Sequence, residues 1–402
     1  MPWVAAGLAF LLFSTGFGNP MVSMDDHSAT VDNPAVTQFS PAVFGQFNLG
    51  MYAPLTWMGY ALAYALGKDS SFWYHFLSAA VHAANAALVF RLFRRLEGDA
   101  TVAFVIALFF AIHPLQVEAV TWIAAFSLPL SVLFSLLALL AYVRQSEEPA
   151  WGKSYWTALG FFVLACLSKS AAVALAPTLF VVDWWLGRKP FGRSSWLEKA
   201  PFLAVALGFG LLTFYSRALA GHTVDSLAGG FSLTDRFLMA CHTLLFYWTK
   251  IVLPLGLSIW YPFVKTAEGG WPWTYYAAPA VLAGILWWVW SSRERLPFVF
   301  RGVLFYLVNI ALALPWYTIG TFELRSDRYN YLASLGIFAI MAGLPGYFRE
   351  KSPGRVGGAW ALLVSLCLLW FFISIIRIRD WRDTIELIDK AVAAQGDNFG
   401  KA

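Results

Sequence analysis

Charged residues are scarce in this 402-residue chain, at 13% of the total, about half the share usual in a globular protein. Hydrophobic residues make up 59% and the mean hydropathy is +0.62. A soluble fold of this size could not cover so much apolar surface. The shortage of charge excludes a disordered scaffold and, despite a net charge of +5, a nucleic-acid binder. Cysteine is nearly absent as well. Cys166, Cys241 and Cys367 lie in apolar runs without a CxxC pair, which excludes a disulfide-stapled secreted domain and marks them as small core residues. The six histidines show no HxxxH or HExxH spacing, which argues against a zinc site. No internal repeat and no paired broken helices are visible, as a transporter or lipid flippase would require. Nor does a ladder of charges run along the apolar segments, as a proton or ion path would.

What remains is an all-α polytopic membrane protein. Apolar runs near 2–18, 74–93, 101–114, 120–143, 155–168, 171–186, 201–218, 274–291, 298–318, 331–348 and 356–376 predict eleven spans. The first lacks the basic flank and small-residue cleavage site of a signal peptide, so it is read as a helix. Segment 235–263 is ambiguous: a hairpin of two short helices broken near Pro254, or an interfacial segment. The total is about 11–13 helices. Lys and Arg set the orientation. Fifteen of the 28 basic residues fall in five short segments, around Arg91–Arg95, Arg144–Lys153, Arg188–Lys199, Arg293–Arg301 and Arg349–Arg355. All five share the cytoplasmic side if the N-terminus is cytoplasmic. The long loop 19–72, HPLQVEAVTW at 113–122, the turn at Lys169, ELRSDRYNY at 323–331 and the tail then face outward. We divide the chain into a membrane domain, 1–376, and an amphipathic tail, 377–402.

Ionisable groups in such a chain are candidates for function. They gather on the outward side. Asp25 and Asp26 form an adjacent pair that repels itself and needs a metal, a cation or a raised pKa, or else is a solvated loop. His75, Ser78, His82 and Asn85 share one helical face; helix–helix hydrogen bonding is the favoured reading for His82 and Asn85. Glu118 follows His113 by five residues. Lys169 stands between two short helices, where a cation has little reason to be unless it meets an anion. Arg325, Asp327 and Arg328, followed by Tyr329, either self-pair or add positive charge. Carboxylates can deprotonate a hydroxyl, and Arg and Lys can hold a phosphate. That combination suits transfer from a phosphate-linked donor to a hydroxyl acceptor.

Taken in order, these segments resemble the membrane domain of the transmembrane and tetratricopeptide-repeat-containing O-mannosyltransferases and their bacterial relatives, in the C-type glycosyltransferase superfamily. The resemblance rests on MDDHSATVDNP at 24–34, MYAPLT at 51–56, the YHF and VHAAN elements within 74–85, and HPLQVEAVTW. It continues through LSKSAAVALAP at 167–177, VVDWWLGRKPF, EKAPF at 198–202, the segment from Arg236 to Pro262, and SDRYNYLASLGIF at 326–338. It implies a C-type glycosyltransferase bundle that transfers a mannose-like sugar, with inversion, from a polyprenyl-phosphate donor to a hydroxyl, expected to be protein Ser or Thr, on the extracytoplasmic face. By analogy Asp25 is the base and Asp26 orients it or the sugar. Lys169, Arg325 and Arg328 hold the lipid phosphate, with Glu118, His75, His113, Asp327 and Tyr329 in support. A divalent cation at Asp25 and Asp26 is left open, and no other cofactor is expected. The membrane is the inner or plasma membrane if the chain is bacterial. Two departures stand out: AFSLP at 125–129 replaces a charged stretch, and only the lead-in to a tetratricopeptide array, RDWRDTIELIDKAV, is present. They leave open a second reading, a catalytically degenerate relative serving as a structural or assembly subunit beside a partner membrane protein.

Overall fold

The computed structural model describes the chain except residues 39, 148–150, 220–230, 262–268, 316–324 and 394–402. Among the described residues there is no strand, only two isolated bridges. Each of the eleven apolar runs carries a helix. In chain order the helices are α1 (Pro2–Ser14), α2 (Asp26–Ala29), α3 (Pro34–Thr37), α4 (Pro54–Gly67), α5 (Ser71–Glu97) and α6 (Ala100–Ile112). Then come α7 (Val117–Thr121), α8 (Ser127–Gln145), α9 (Lys153–Ser168), α10 (Leu175–Trp185) and α11 (Arg193–Leu219). The set closes with α12 (Leu233–Val252), α13 (Trp273–Ser291), α14 (Pro297–Ile310), α15 (Asn330–Lys351), α16 (Val356–Asp380) and α17 (Thr384–Ala393). By length and composition alone, five described helices can cross a membrane, or six if α6 and the segment Pro114–Thr121, bent by 52°, count as one. The bend follows from Pro114, which holds His113 extended (ψ 136°) and ends α6.

Two expectations need correction. The loop 19–72 is not simply a loop, because it contains the 14-residue helix α4, too short to register as a span but started by Pro54 in the first helical turn. The hairpin at 235–263 is absent as far as the described residues reach. One helix, α12, runs to Val252, and Pro254 forces Leu253 out of the helical region (φ −124°, ψ 84°). The chain then stays non-helical to Tyr261, whose backbone bridges to Arg325.

Helix α12 is tied near both its ends. Near its start, Asp235 accepts a hydrogen bond from the Trp271 indole (2.6 Å), just before α13. At its end the Ile251 carbonyl meets His113 Nε2 (2.8 Å), and Tyr247 OH meets the Ser326 carbonyl (3.1 Å). Both ends of α12 therefore lie at the end of the bundle that holds the 113–122 and 325–331 motifs. By length and composition α12 is not among the described helices able to cross a membrane. The five basic clusters then share the other end. Glu97 of α5 accepts from Trp185 of α10 there, and Arg301 of α14 packs its guanidinium over the same indole.

One crossing fixes the loop that carries Arg325 to Tyr329. Gly302 of α14 and Gly336 of α15 meet so closely that a Cβ on either would collide with the other's carbonyl oxygen. Only glycine permits that approach.

Candidate active site

The acidic pair divides its labour. Asp26 is 1% exposed and uses both carboxylate oxygens as clamps: Oδ2 accepts from Val22 N (2.9 Å) and Oδ1 from Ala124 N (2.8 Å). Burial outweighs these two hydrogen bonds and pushes its pKa up to about 6. Asp25, the cap residue of the same short helix, is exposed. The clamp on Ala124 ties the first loop to the turn that follows Glu118.

That turn organises the rest. Glu118, 1% exposed, forms a buried ion pair with Arg328, accepts Ser326 Oγ (2.7 Å) and accepts the Arg328 amide (3.1 Å). The Arg328 guanidinium lies over the rings of Trp122 (4.9 Å) and Tyr329 (5.1 Å). Trp122 in turn stacks on Trp381, centroids 6.0 Å apart. Asp327 is fully buried, paired with Arg377 (3.0 Å) and hydrogen-bonded by Tyr261 OH (2.8 Å). Among the described residues the Arg–Asp–Arg run does not self-pair. Its members reach three different partners.

Lys169 caps α9 and donates to Ser127 Oγ (3.0 Å). Burial first, and then the like charge of Arg328, lower its pKa to about 8. Lys169 and Arg328 are therefore electrostatic neighbours, and both abut the Trp122–Ser127 turn. Arg325 is taken up elsewhere: its guanidinium contacts Thr243 Oγ1 (3.2 Å), His242 Nδ1 (2.6 Å) and Tyr275 OH (3.1 Å) and lies over Phe246.

The histidines brace the scaffold. His75 Nε2 contacts the Asn19 carbonyl (3.1 Å), anchoring the start of the first loop to α5. His113 Nδ1 accepts the Leu115 amide, so Nε2 carries the proton donated to Ile251 O. In the same way Asn85 donates to Tyr331 OH, Tyr331 to His82 Nδ1 and His82 Nε2 to the Ala111 carbonyl, closing a buried chain. Ser78 donates to the Val120 carbonyl (2.8 Å), which fixes the Glu118 helix.

Among the described residues no three His, Cys, Asp or Glu side chains converge as a metal-binding group. Both Asp26 oxygens already accept a backbone N–H group, which leaves one lone pair on each for any cation shared with Asp25. Sequence reasoning missed Ser127, Trp122, Arg377 and Trp381. Ser127 belongs to AFSLP, which was read as a departure, and Arg377 was assigned to the tail. Both are ordinary residues for their segments, and only the tertiary contact marks them.

A bundle of this topology, with acids and cations gathered at one end, is a C-type glycosyltransferase fold. The Archaeoglobus fulgidus oligosaccharyltransferase in its apo form has the same fold, with a TM-score of 0.52, 15% identity, and coverage of 94% of this chain and 56% of that one. Residues 53–216 match the family described as dolichyl-phosphate-mannose-protein mannosyltransferase. The protein O-mannosyl-transferase F38B6.6 of Caenorhabditis elegans is 22% identical over 97% of this chain and 57% of its own length. Mouse protein O-mannosyl-transferase TMTC2 is 28% identical over 42% of this chain and 21% of its own. The chain is similar to this O-mannosyltransferase family, as its ordered motifs led us to expect, and it spans less than two thirds of the length of these relatives.

Proposed function

We propose that the protein is a membrane glycosyltransferase that moves a mannose-like sugar from a polyprenyl phosphate to a hydroxyl acceptor, a protein Ser or Thr, on the extracytoplasmic face. One observation carries the reading. The exposed carboxylate of Asp25 is tied, through the Asp26 clamp on Ala124, to the turn that also seats Arg328 and Lys169. A base and two cations thereby share one short segment.

Asp25 takes the proton from the acceptor hydroxyl, and the oxygen attacks the anomeric carbon from the face opposite the phosphate. The carbon–oxygen bond to the phosphate breaks as the new bond forms, so one displacement inverts the configuration. The leaving group is a phosphate monoester, which needs positive charge more than a general acid, and Lys169 and Arg328 supply it. Arg325 supports the loop from α12, and Glu118 aims Arg328. The description of the matching family and the names of the relatives support the sugar, the lipid phosphate and the protein acceptor.

The test is Asp25→Asn in purified protein supplied with polyprenyl-phosphate mannose and a Ser/Thr peptide. Transfer should fall by about 10²–10⁴-fold, the usual effect of losing a general base, with folding and donor binding retained. Near-normal transfer would remove Asp25 from the chemistry. A second reading, a catalytically silent assembly subunit, is favoured by the pairing of Arg328 with Glu118, which leaves that cation already matched. Wild-type protein that binds donor yet never modifies a peptide would put that reading in front.

A further inference from the structure

A second polar centre lies at the other end of the bundle. Helix α8 begins at Ser127, beside Lys169, and ends at Gln145. Its 19 residues, at 1.5 Å each, separate those points by about 28 Å, close to the thickness of a bilayer's hydrocarbon core. There, a cavity of about 420 Å³ is lined by Gln145, Ser146, Trp151, Arg188, Arg193 and Glu198 among others.

The cavity has a rigid polar floor. Arg188 grips Glu198 (2.6 Å) and Asp183 (2.9 Å), and Asp183 is held in turn by the buried Lys199, by Tyr142 OH (2.9 Å) and by Ser195 Oγ (3.2 Å). Two cations and two carboxylates cancel in this quartet. Arg193, exposed at the cavity wall, then supplies the net charge. It opens α11, whose first amides precede the bond from Trp196 N to Gly192 O, so the wall also presents the positive end of a helix. A second observation is independent of charge. Gln145 is 4% exposed, and its Oε1 is buried without a hydrogen-bond partner. A buried carbonyl oxygen left unpaired costs about 1–3 kcal/mol, so this position calls for a donor. Around the rim, Leu197, Trp196 and Trp151 are 56%, 48% and 46% exposed, an apolar surface beside the polar floor.

We propose that this cavity binds the headgroup of an anionic phospholipid from the leaflet opposite the glycosyltransferase site. The phosphate rests on Arg193 and the first turn of α11. A turn of the Gln145 side chain, which lines the cavity, brings Oε1 to a headgroup hydroxyl, and the acyl chains run along Leu197 and the two tryptophans. The inference is independent of the sugar-transfer reading.

Lipid-stripped full-length protein, titrated in detergent and read by native mass spectrometry, tests it with four probes: phosphatidylglycerol, phosphatidic acid, phosphatidylcholine and glycerol 1-phosphate. Phosphatidylglycerol should bind about tenfold more tightly than phosphatidylcholine, and Arg193→Gln should remove that advantage, as expected for one charge-assisted contact. Gln145→Met should abolish the preference for phosphatidylglycerol over phosphatidic acid, which lacks the hydroxyl. Arg193 is on the surface, so its variant tests the site even if Gln145→Met fails to fold. Equal binding of phosphatidylglycerol and phosphatidylcholine, or an unchanged preference in Arg193→Gln, would overturn the proposal. Glycerol 1-phosphate binding as tightly as the lipid would overturn the membrane source of the ligand.

Discussion

The Glu118–Arg328 pair separates what holds the site together from what it binds. Arg328→Gln leaves Glu118, 1% exposed, with only Ser326 Oγ and the residue-328 amide as partners among the described residues. Breaking a buried ion pair from one side costs about 3–5 kcal/mol. The Arg328 side chain is 15% exposed, which places the loss near the lower bound. Glu118→Gln is milder, since the amide oxygen can still accept the Arg328 amide while its NH2 donates to Ser326 Oγ, and Arg328 keeps its bed on Trp122 and Tyr329. The double variant carries no stranded charge and should recover about 1.5–3 kcal/mol relative to Arg328→Gln, a coupling typical of residues in direct contact. Denaturant unfolding of the four proteins in mixed micelles measures this. Donor binding should behave differently. It should stay weak in the double variant, because restoring neutrality does not restore the phosphate's cation. The reasoning is refuted if the double variant is no more stable than Arg328→Gln, or if it regains donor binding.

Lys169, with its pKa lowered to about 8, should lose its charge as pH rises through that value, so donor affinity should fall above pH 8 in wild type but not in Lys169→Arg. Between about 8 and 10.5 the unfolded chain holds the proton that the folded one has shed, so this group makes stability rise with pH; a pH series of unfolding curves checks the sign. Gly302→Ala should destabilise by about 3 kcal/mol, the upper part of the overpacking range, because backbone rather than a side chain blocks the Cβ; an unfolding shift under 0.5 kcal/mol would contradict the crossing. In intact cells, an impermeant thiol reagent should label Ser40→Cys and not Ser194→Cys, and the reverse pattern would invert the membrane assignment. Asp25→Asn should lower transfer by about 10²–10⁴-fold while donor still binds, as set out above.

The membrane bundle was legible because its signal is additive: long apolar runs and basic clusters mark helices and ends without any knowledge of packing. The acidic loop, the Glu118 turn and the SDRY segment were legible as an ordered series of motifs. Contacts between them were not. Nothing local in AFSLP distinguishes Ser127 from any other helix-start serine, yet it is where the Lys169 ammonium comes to rest. The grouping of Lys169, Arg325 and Arg328 failed to reveal that Arg325 turns toward His242 and Tyr275, because adjacent residues in a tight turn project in different directions. Segment 235–263 was ambiguous for a related reason. An amphipathic helix that lies along an interface has nearly the apolar content of one that crosses it, and the difference is where its two ends are tied.

The segment placed in the tail belongs physically to the site. Asn19 Nδ2 donates to the Ile378 carbonyl (2.9 Å), and Ser23 N donates to Thr384 Oγ1 (3.1 Å), two residues before Asp25. Arg377 neutralises Asp327, and Trp381 backs the tryptophan on which Arg328 lies. Helix α17 follows with Leu387 and Ala391 buried four residues apart against the core and Ile385 turned outward. The acidic loop is thus held between two supports, the Asp26 clamp on the Glu118 turn and the start of the C-terminal segment. A long loop fixed at one end would leave Asp25 free to wander by several ångströms, and a base so placed loses most of the advantage of position. Fixing the loop at both ends is what the base proposed at Asp25 requires of an otherwise irregular segment, and it gives residues 377–391 a part in holding that loop that their composition alone does not disclose.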